Sequence, residues 1–523
     1  MQGTDFPVLT ILIFFPIMGC VGLFFIKSPH VTRIYALVVS LVELALALPL
    51  LRFRLDTPGF QFVEHIPWVP GWGLEYFVGL DGISVLMVGL TLIILPLCIL
   101  CSWSSIENRV KEFHFCILLL ASVCVGVFSA LDLALFFLFW EALLIPVYLI
   151  IALWGGPDRQ YASRKFILYT LAGSALLLVA VVAFRIAGGT FSIPDLMQQG
   201  FPFDFQLWTF LVMALAFAVK VPMFPFHTWL PAAYSEAPTA GSVLLSCVLA
   251  KMGAYGFLRF CLPLTPTASQ FFAPMMIAMS IGSILYGGIV AFGQSDIKKI
   301  IAYSSLAHMG FVTLGIFLFS IRGFQGAILQ MVSHGITTGG LFILTGALYE
   351  RSKSSKLTEN LGLGKGLPAF MGFWGLMAFA GFAFPGTNNF VGEFLILVGA
   401  FERGIWIGAL TVPGALLAAA YMLRPTQKMV WGEPSGLKGW KDLNMREWTS
   451  MLPLAFLVLY IGLAPTIFFK VMNPTLGSML SAFTTRQPAK TLSIDRKPGS
   501  TDPAMANALK DIGSIHKKQD MER

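Results

Sequence analysis

Residues 133–154 read LALFFLFWEALLIPVYLIIALW, an apolar stretch whose only charged residue is Glu141. An α-helix needs about 20 such residues to cross the hydrocarbon core of a bilayer, so the stretch predicts a membrane-spanning helix. A charge at that depth costs at least about 2.5 kcal/mol unless its side chain faces protein or water. We therefore expect the carboxylate of Glu141 to point into a helical bundle.

Three further apolar stretches each carry one isolated full charge: Lys220, Lys251 and Glu393. Together with Glu141 they place two acidic and two basic groups at membrane depth. Ionisable residues in such positions are typical of ion and proton pathways. The pattern predicts a buried polar path across a membrane; the alternative is a set of static ion pairs that only fix helix packing.

The composition is that of a polytopic membrane protein. The chain has 523 residues, of which 56% are hydrophobic and 12% charged, with a mean hydropathy of +0.77; a soluble domain carries about 25% charged residues. No basic segment precedes the first apolar stretch, 8–26, so we expect a retained helix rather than a signal peptide. The net charge of +8 comes mainly from loops, where it orients helices, and does not indicate nucleic-acid binding.

Hydropathy predicts an all-α polytopic membrane protein with about fourteen transmembrane helices. We expect the spans near 7–27, 32–51, 77–102, 113–130, 132–154, 165–187, 207–230, 237–260, 271–292, 299–319, 324–349, 367–396, 404–424 and 450–470. The loop 52–76 is expected to form an ordered cap. From about residue 473 the chain turns polar, and we expect a loosely attached tail.

Loop charges predict the orientation of the helices. The loops after odd-numbered spans hold eighteen Lys and Arg residues, and those after even-numbered spans hold six. Positively charged loops stay in the cytoplasm. Both termini are therefore expected on the periplasmic side.

Two spans contain helix-breaking residues. One reads AFAVKVPMFPFHTWLP, and the other reads AFAGFAFPGTNNFVGEF with Pro385 and Gly386. Proline removes a backbone donor and clashes with the preceding turn. Paired interrupted helices in the two halves of a chain are typical of transporters with internal repeats.

Cysteine usage argues against a redox or metal centre. All seven cysteines lie in or beside apolar segments, and the single C-x-x-C, Cys98 and Cys101, is embedded in LPLCILCSW. We interpret this pair as small apolar helix residues, because no second C-x-x-C is present to complete a zinc or iron–sulfur site. Phosphate-binding and dinucleotide-binding fingerprints are also absent from the sequence.

The isolated charges can form a proton relay. Glu141 is the natural partner of Lys220, which precedes a helix break, and a pair that opens and closes would load and release a proton. Lys251 and Glu393 are candidates for proton-carrying groups further along the relay. His308 and His334 are titratable groups inside their spans, and imidazole is a ready proton carrier; the alternative is that both are hydrogen-bonded packing residues.

Five motifs resemble one known family, the antiporter-like M subunits of bacterial respiratory complex I, which correspond to mitochondrial NADH dehydrogenase subunit 4. They are FWEALLIPVYLIIALWGG, VKVPMFPFHTWLPAAYSEAPTAGSVLLSCVLAKMGAYGFLRF, QSDIKKIIAYSSLAHMGF, LQMVSHGITTGGLFILTGALYER and GTNNFVGEFLIL. The resemblance covers roughly residues 75 to 470. The chain departs from the family at Ala232 and Tyr234, where Asp and His are common.

The resemblance implies a fold and a domain order. It implies fourteen helices with two inverted five-helix repeats, in which helices seven and twelve are broken. We expect N-terminal helices and an extramembrane loop, two antiporter-like repeats, a C-terminal helix and a polar tail. Their expected ranges are 1–112, 113–260, 261–425, 426–472 and 473–523.

The resemblance also implies a function and its site. Members of the family pump protons with energy released when NADH reduces quinone elsewhere in the complex. The family's paired Glu and Lys, central lysine, histidines and terminal glutamate match Glu141, Lys220, Lys251, His308, His334 and Glu393. No cofactor or metal is expected in this chain, since NADH, FMN, iron–sulfur clusters and quinone belong to partner subunits.

The expected partners are the other membrane subunits, especially two paralogous antiporter-like subunits, together with lipid, protons and buried water in the bacterial inner membrane. Three alternative functions stay open at this point. They are a subunit of a multi-subunit cation/proton antiporter, a structural scaffold, and a drug/proton exporter.

Overall fold

The computed structural model describes residues 6–433 and 440–485. In these ranges the chain forms α-helices joined by short turns, with one two-stranded hairpin. The elements are α1 Val8–Leu23, α2 Pro29–Leu46, β1 Gln61–Val69, β2 Leu74–Leu80, α3 Ser84–Cys101, α4 Val110–Ser129, α5 Leu133–Ala142, α6 Leu144–Trp154, α7 Arg159–Gly188, α8 Ile193–Leu196, α9 Phe203–Lys220, α10 Trp229–Glu236, α11 Thr239–Leu244, α12 Ala250–Gly256, α13 Leu262–Leu264, α14 Pro266–Phe271, α15 Ala273–Gly293, α16 Ile297–Phe317, α17 Ile321–Ser352, α18 Pro368–Gly381, α19 Asn388–Arg403, α20 Ile405–Trp431, α21 Met445–Leu463 and α22 Thr466–Thr485.

The helices are those of a multi-pass membrane protein. Within the described ranges, eleven helical runs are long and apolar enough to span a membrane, and counting the bent pair α21–α22 makes twelve. The helices α1 and α18 are apolar but shorter. Many large apolar side chains on the outer helices, such as Val38 and Leu41 on α2, are exposed, as expected for surfaces that face lipid or partner subunits.

Polar caps fix where several spans begin. Asp132 accepts the N–H of Leu135 at 2.8 Å and starts α5. Asp296 accepts the N–H of Lys299 at 3.0 Å and starts α16 in the same way. Such caps satisfy backbone donors that have no partner inside the helix. The Asp132 cap also fixes the start of the helix that carries Glu141, which lies in the last turn of α5.

Both spans that were predicted to be broken are interrupted. The helix α9 ends at Lys220, and the chain passes Pro222 and Pro225 before α10 begins. The helix α18 ends at Gly381 and α19 begins at Asn388. Proline cannot donate a backbone hydrogen bond, and Gly386, with a φ of 90°, adopts a conformation that other residues rarely do.

The prediction of an all-α chain missed a β-hairpin. The strands β1 and β2 pair antiparallel, with His65 opposite Phe77. The carboxylate of Glu64 accepts the N–H groups of Leu9 at 2.7 Å and Thr10 at 3.0 Å, and so caps α1 from outside. The ordered cap expected over 52–76 is therefore largely this hairpin, which is fixed to the first helix.

The long helix α17 lies at the centre of the bundle. It packs against α16, α19, α11, α18, α21 and α22, and its apolar window is completely buried. The helix α22 continues to Thr485, beyond the residue at which we expected a polar tail. Met472 and Leu476 are buried and lie four residues apart on one face, which explains why this weakly apolar segment packs. The remainder of the expected tail, 486–523, lies outside the described residues.

Candidate functional site

Lys251 and His334 meet in the middle of the bundle. Nζ of Lys251 lies 2.6 Å from Nδ1 of His334 and also donates to the carbonyl of Ser246. Lys251 and His334 are fully buried. The predicted relay stations on α12 and α17, 83 residues apart in sequence, are therefore in direct contact.

The helix that carries Lys251 contains two π-helical turns, Leu245–Leu249 and Phe257–Cys261. A π-turn inserts an extra residue into an α-helix and changes the direction of the side chains that follow, and such turns are frequent at functional sites. Ser246, which accepts the bond from Lys251, lies in the first of these turns. Sequence analysis did not predict either turn.

His308 and Glu393 form a second buried contact close to the pair of Lys251 and His334. Nδ1 of His308 lies 2.6 Å from Oε1 of Glu393, and both side chains are buried. The rings of His308 and His334 have centroids 5.6 Å apart. The structure thus brings Lys251, His334, His308 and Glu393 into one line across α12, α17, α16 and α19.

Two uncharged polar residues complete this line, and sequence analysis missed both. Gln330 on α17 donates to Oε1 of Glu393 at 2.8 Å. The hydroxyl of Tyr421 on α20 lies 3.1 Å from Nε2 of His308. Neither residue has a full charge, so neither interrupts an apolar span in a way that hydropathy detects. The one signal in the sequence that could have identified Gln330 is the presence of a Gln in the interior of an apolar span.

Glu141 and Lys220 lie near each other without direct contact. Lys220 is buried and lies beside Trp140, the residue that precedes Glu141 in sequence. Its Nζ lies 4.9 Å from the centroid of the Trp140 ring, a cation–π arrangement. Among the described residues, neither Nζ of Lys220 nor Oε1 of Glu141 has a hydrogen-bond partner. The structure therefore holds the predicted pair in an open arrangement.

A second buried charge cluster lies at the far end of the Lys251 helix and was not predicted. The guanidinium of Arg259 forms an ion pair with Asp81 at 2.6 Å and donates to the hydroxyls of Tyr255 and Ser84, each at 3.1 Å. Asp81 also accepts the N–H groups at the start of α3. The cluster joins α3 to the second π-turn.

Two further side chains near the first broken span, Tyr234 and His227, have defined partners. The hydroxyl of Tyr234, at a position where His is common, donates to the carbonyl of Leu245 at 3.0 Å. His227 stacks on Phe224, with ring centroids 5.7 Å apart, and contacts Tyr286 edge-on. Neither His227 nor Tyr234 is hydrogen-bonded to the line from Lys251 to Glu393 in the described structure.

The described residues contain no group of three or more His, Cys, Asp or Glu side chains placed to hold a metal ion. The seven cysteines are free thiols, and all but Cys101 are buried. Cys101 donates to the carbonyl of Cys98 within α3.

Comparisons with known proteins identify the family to which the chain is similar. Residues 130–418 match the family described as NADH:quinone oxidoreductase/Mrp antiporter, TM, and residues 10–125 match NADH-ubiquinone oxidoreductase chain 4, amino terminus. NADH-quinone oxidoreductase subunit M of Rhodobacter capsulatus is 43% identical, with 86% of this chain and 90% of that protein covered. NADH-ubiquinone oxidoreductase chain 4 of Marchantia polymorpha is 39% identical, with 90% and 96% covered.

Solved structures show the same fold. A chain of respiratory complex I from Thermus thermophilus with bound NADH superimposes with a TM-score of 0.84 at 32% identity, covering 91% of this chain and 99% of that chain. A chain of the Mrp complex from Dietzia sp. gives a TM-score of 0.78 at 19% identity, covering 98% and 59%, a likeness of fold alone. The resemblance seen in the sequence is confirmed, and the chain belongs to the NADH:quinone oxidoreductase/Mrp antiporter transmembrane family.

Proposed function

We propose that this chain is a proton-translocating membrane subunit of an NADH:quinone oxidoreductase, driven by redox chemistry in other subunits. The observation that carries the proposal is the line from Lys251 through His334 and His308 to Glu393, buried inside the bundle of a chain from this family. A continuous line of proton-carrying groups is more than helix packing requires, because each buried polar group adds a desolvation cost.

The open Glu141–Lys220 pair would be the control point. A carboxylate that approaches the Lys220 ammonium holds a proton on it, and the proton can leave when the carboxylate withdraws. Nζ of Lys220 then loses the proton to water on the way to Lys251. From Lys251 a proton would pass to Nδ1 of His334, Nε2 of His334 would release one through water to His308, and Nδ1 of His308 would release one to the carboxylate of Glu393. The charge state of a neighbouring subunit would open and close the pair.

The finer architecture is part of the proposal. If the bent pair α21–α22 and the shorter helices α1 and α18 also cross the membrane, they would bring the eleven long spans to fourteen crossings. The interrupted pairs α9–α10 and α18–α19 would be the corresponding broken helices of two inverted five-helix repeats. Both termini would lie on the periplasmic side of a bacterial plasma membrane, as the loop charges predict.

The redox centres would belong to partner subunits. The sequence lacks the cysteine spacing of an iron–sulfur ligand set and the glycine-rich fingerprint of a dinucleotide site. NADH, FMN, iron–sulfur clusters and quinone would therefore act elsewhere in the complex. Two paralogous antiporter-like subunits are the proposed neighbours in the membrane.

Replacing Glu141 with Gln tests the proposal, because Gln keeps the shape and loses the proton-dependent charge. In membranes that carry the assembled complex, we expect both NADH:quinone activity and proton pumping to collapse. Glu107→Gln, at an exposed loop carboxylate, is the matched control and should leave both activities intact. Wild-type activities in Glu141→Gln would reject the relay and favour a structural role for these charges.

A cation/proton antiporter subunit is the second candidate, since the Mrp chain shares the fold. The two functions differ in their driving force. Cation-dependent proton exchange in vesicles without NADH or quinone would favour the antiporter, and pumping that requires NADH oxidation would reject it.

A further inference from the structure

Trp140 immediately precedes Glu141 in the last turn of α5, and the proposed relay gives it no role. Its side chain is buried, with 2% of its surface exposed. Nζ of Lys220 lies 4.9 Å from the centroid of the indole ring. The face of an aromatic ring attracts a cation electrostatically, and tryptophan does so most strongly. Two consecutive residues of one helical turn therefore offer Lys220 neighbours of different kinds, an aromatic face and a carboxyl group.

The indole ring is held in place from several sides. Its Nε1–H donates to the hydroxyl of Ser174 on α7 at 3.0 Å. The ring of Phe136, one turn earlier on α5, has its centroid 5.6 Å away, and the ring of Phe217 on α9 packs edge-on at 5.7 Å. Because these contacts come from three helices, the position of the ring does not depend on the conformation of the Glu141 side chain.

The helix that fixes the ring also packs closely on the helix that carries the lysine. The helix α7 contacts both α5 and α9. A Cβ atom built on Gly173 would lie 3.4 Å from Cα of Ala216 and 3.5 Å from Cβ of Val219 on α9. The two helices therefore approach each other beside Ser174, one turn before Lys220. This packing fixes the distance between the lysine and the ring.

The contact with the ring suits the open arrangement of the pair. Within the described ranges, neither Nζ of Lys220 nor Oε1 of Glu141 has a hydrogen-bond partner. A buried ammonium without a partner is unfavourable, and a cation–π attraction is stronger when both groups are removed from water. The ring attracts the protonated lysine, because a neutral amine carries no full charge. It therefore favours retention of the proton on Lys220 when the carboxylate is withdrawn.

We propose that Trp140 is a positioning residue of the relay, which retains the Lys220 ammonium while the Glu141 carboxylate is withdrawn. This proposal rests on the proposed function. The ring itself neither gains nor loses a proton, and Lys220 keeps its N–H bond until water on the side of Lys251 accepts the proton. Without the ring, the lysine would lose its proton as soon as the carboxylate withdraws, and NADH oxidation would continue with less pumping.

Fluorinated tryptophans in place of Trp140, introduced by nonsense suppression into the assembled complex, test this proposal. Each added fluorine atom weakens the attraction of the ring for a cation, while the shape of the ring and its N–H group are kept. The measured quantity is the proton-pumping rate divided by the NADH oxidation rate, alongside the amount of assembled complex. The same series at Trp374 is the matched control, because this buried indole also donates to a hydroxyl, that of Thr426 at 3.1 Å, and its ring stacks on Phe370.

We expect the pumping ratio to fall stepwise with the number of fluorine atoms at position 140, by about tenfold in the most fluorinated complex, with normal assembly. The series at position 374 should match the wild type. Ser174→Ala, which removes the acceptor of the Trp140 N–H and frees the ring, should lower the pumping ratio by a smaller factor.

Two results would overturn the proposal. One is an unchanged pumping ratio across the fluorinated series at position 140; the other is loss of assembly in that series, which would make the ring a packing group. Glu141→Gln measured in parallel separates this proposal from the proposed function. If it abolishes pumping while fluorination of Trp140 has no effect, only the role of Trp140 fails, and if neither affects pumping, the relay fails as a whole.

Discussion

Breaking the buried ion pair between Asp81 and Arg259 should destabilise the subunit more than any exposed charge change. Asp81→Asn keeps an acceptor for the backbone N–H groups of Ile83 and Ser84 that the aspartate now caps. It removes the negative charge that lies 2.6 Å from the guanidinium. Arg259 would be left buried with only the hydroxyls of Tyr255 and Ser84 as partners.

The magnitude follows from the burial of the pair. Both side chains are at most 3% exposed, so water cannot replace the lost charge. Removing one partner of a buried pair costs about 3–5 kcal/mol, chiefly because the other charge stays buried and uncompensated. Replacing both partners, as in Asp81→Asn with Arg259→Met, should return stability to within about 1 kcal/mol of the wild type or above it.

The assay is thermal inactivation of the purified complex in detergent, with the fraction of this subunit that stays assembled measured at each temperature. Glu402→Gln is the control, since its pair with Arg322 is about half exposed and should be worth less than about 1 kcal/mol. If Asp81→Asn is as mild as Glu402→Gln, or if the double variant is no better than the single one, the ion-pair reasoning is refuted.

Three further outcomes are expected. Gln330→Leu should lower proton pumping about tenfold or more with normal assembly, because it removes the hydrogen bond that orients the Glu393 carboxylate, and a hydrogen bond to a charged group is worth about 1.5–3 kcal/mol; unchanged pumping would mean that the bond is dispensable. Glu64→Ala should destabilise the attachment of the hairpin to α1 by about 1 kcal/mol, the usual worth of a helix cap, seen as faster proteolysis of the hairpin. Burial raises the pKa of Tyr76 to about 12, so the folded phenol keeps its proton where an unfolded one loses it above about pH 10. Stability should therefore fall as the pH rises from about 10 to 12, and Tyr76→Phe should reduce that fall; an equal fall in both proteins would contradict it.

The spans and the charged stations of the site could be predicted because both depend on local sequence. An apolar run that is long enough to cross the bilayer is visible in the sequence. An isolated charge inside such a run must face protein or water, so Glu141, Lys220, Lys251 and Glu393 can be identified without structural information. Their spacing along the chain says nothing about which helix faces which. The contact between Lys251 and His334 is set by packing between distant helices.

The other features could not be predicted from the sequence, for physical reasons. Gln330 and Tyr421 are uncharged, so they barely change the hydropathy of their spans. The π-turns depend on backbone hydrogen bonding rather than on a residue type. The hairpin joins two helices through a segment whose strand pairing is stabilised partly by contacts with α1. The roles predicted for the six relay residues stay predictions until the variants are measured.

The extra residue in the first π-turn also determines the direction in which the side chain of Lys251 points. In an α-helix each residue advances the direction of the side chains by about 100°. If Leu245–Leu249 were wound as regular α-helix with no residue removed, everything beyond the turn would be rotated by about that angle. Lys251 would then turn away from His334 although its sequence neighbours are unchanged. The alignment of the relay thus depends on the number of residues in this helical turn as well as on the identity of the side chains.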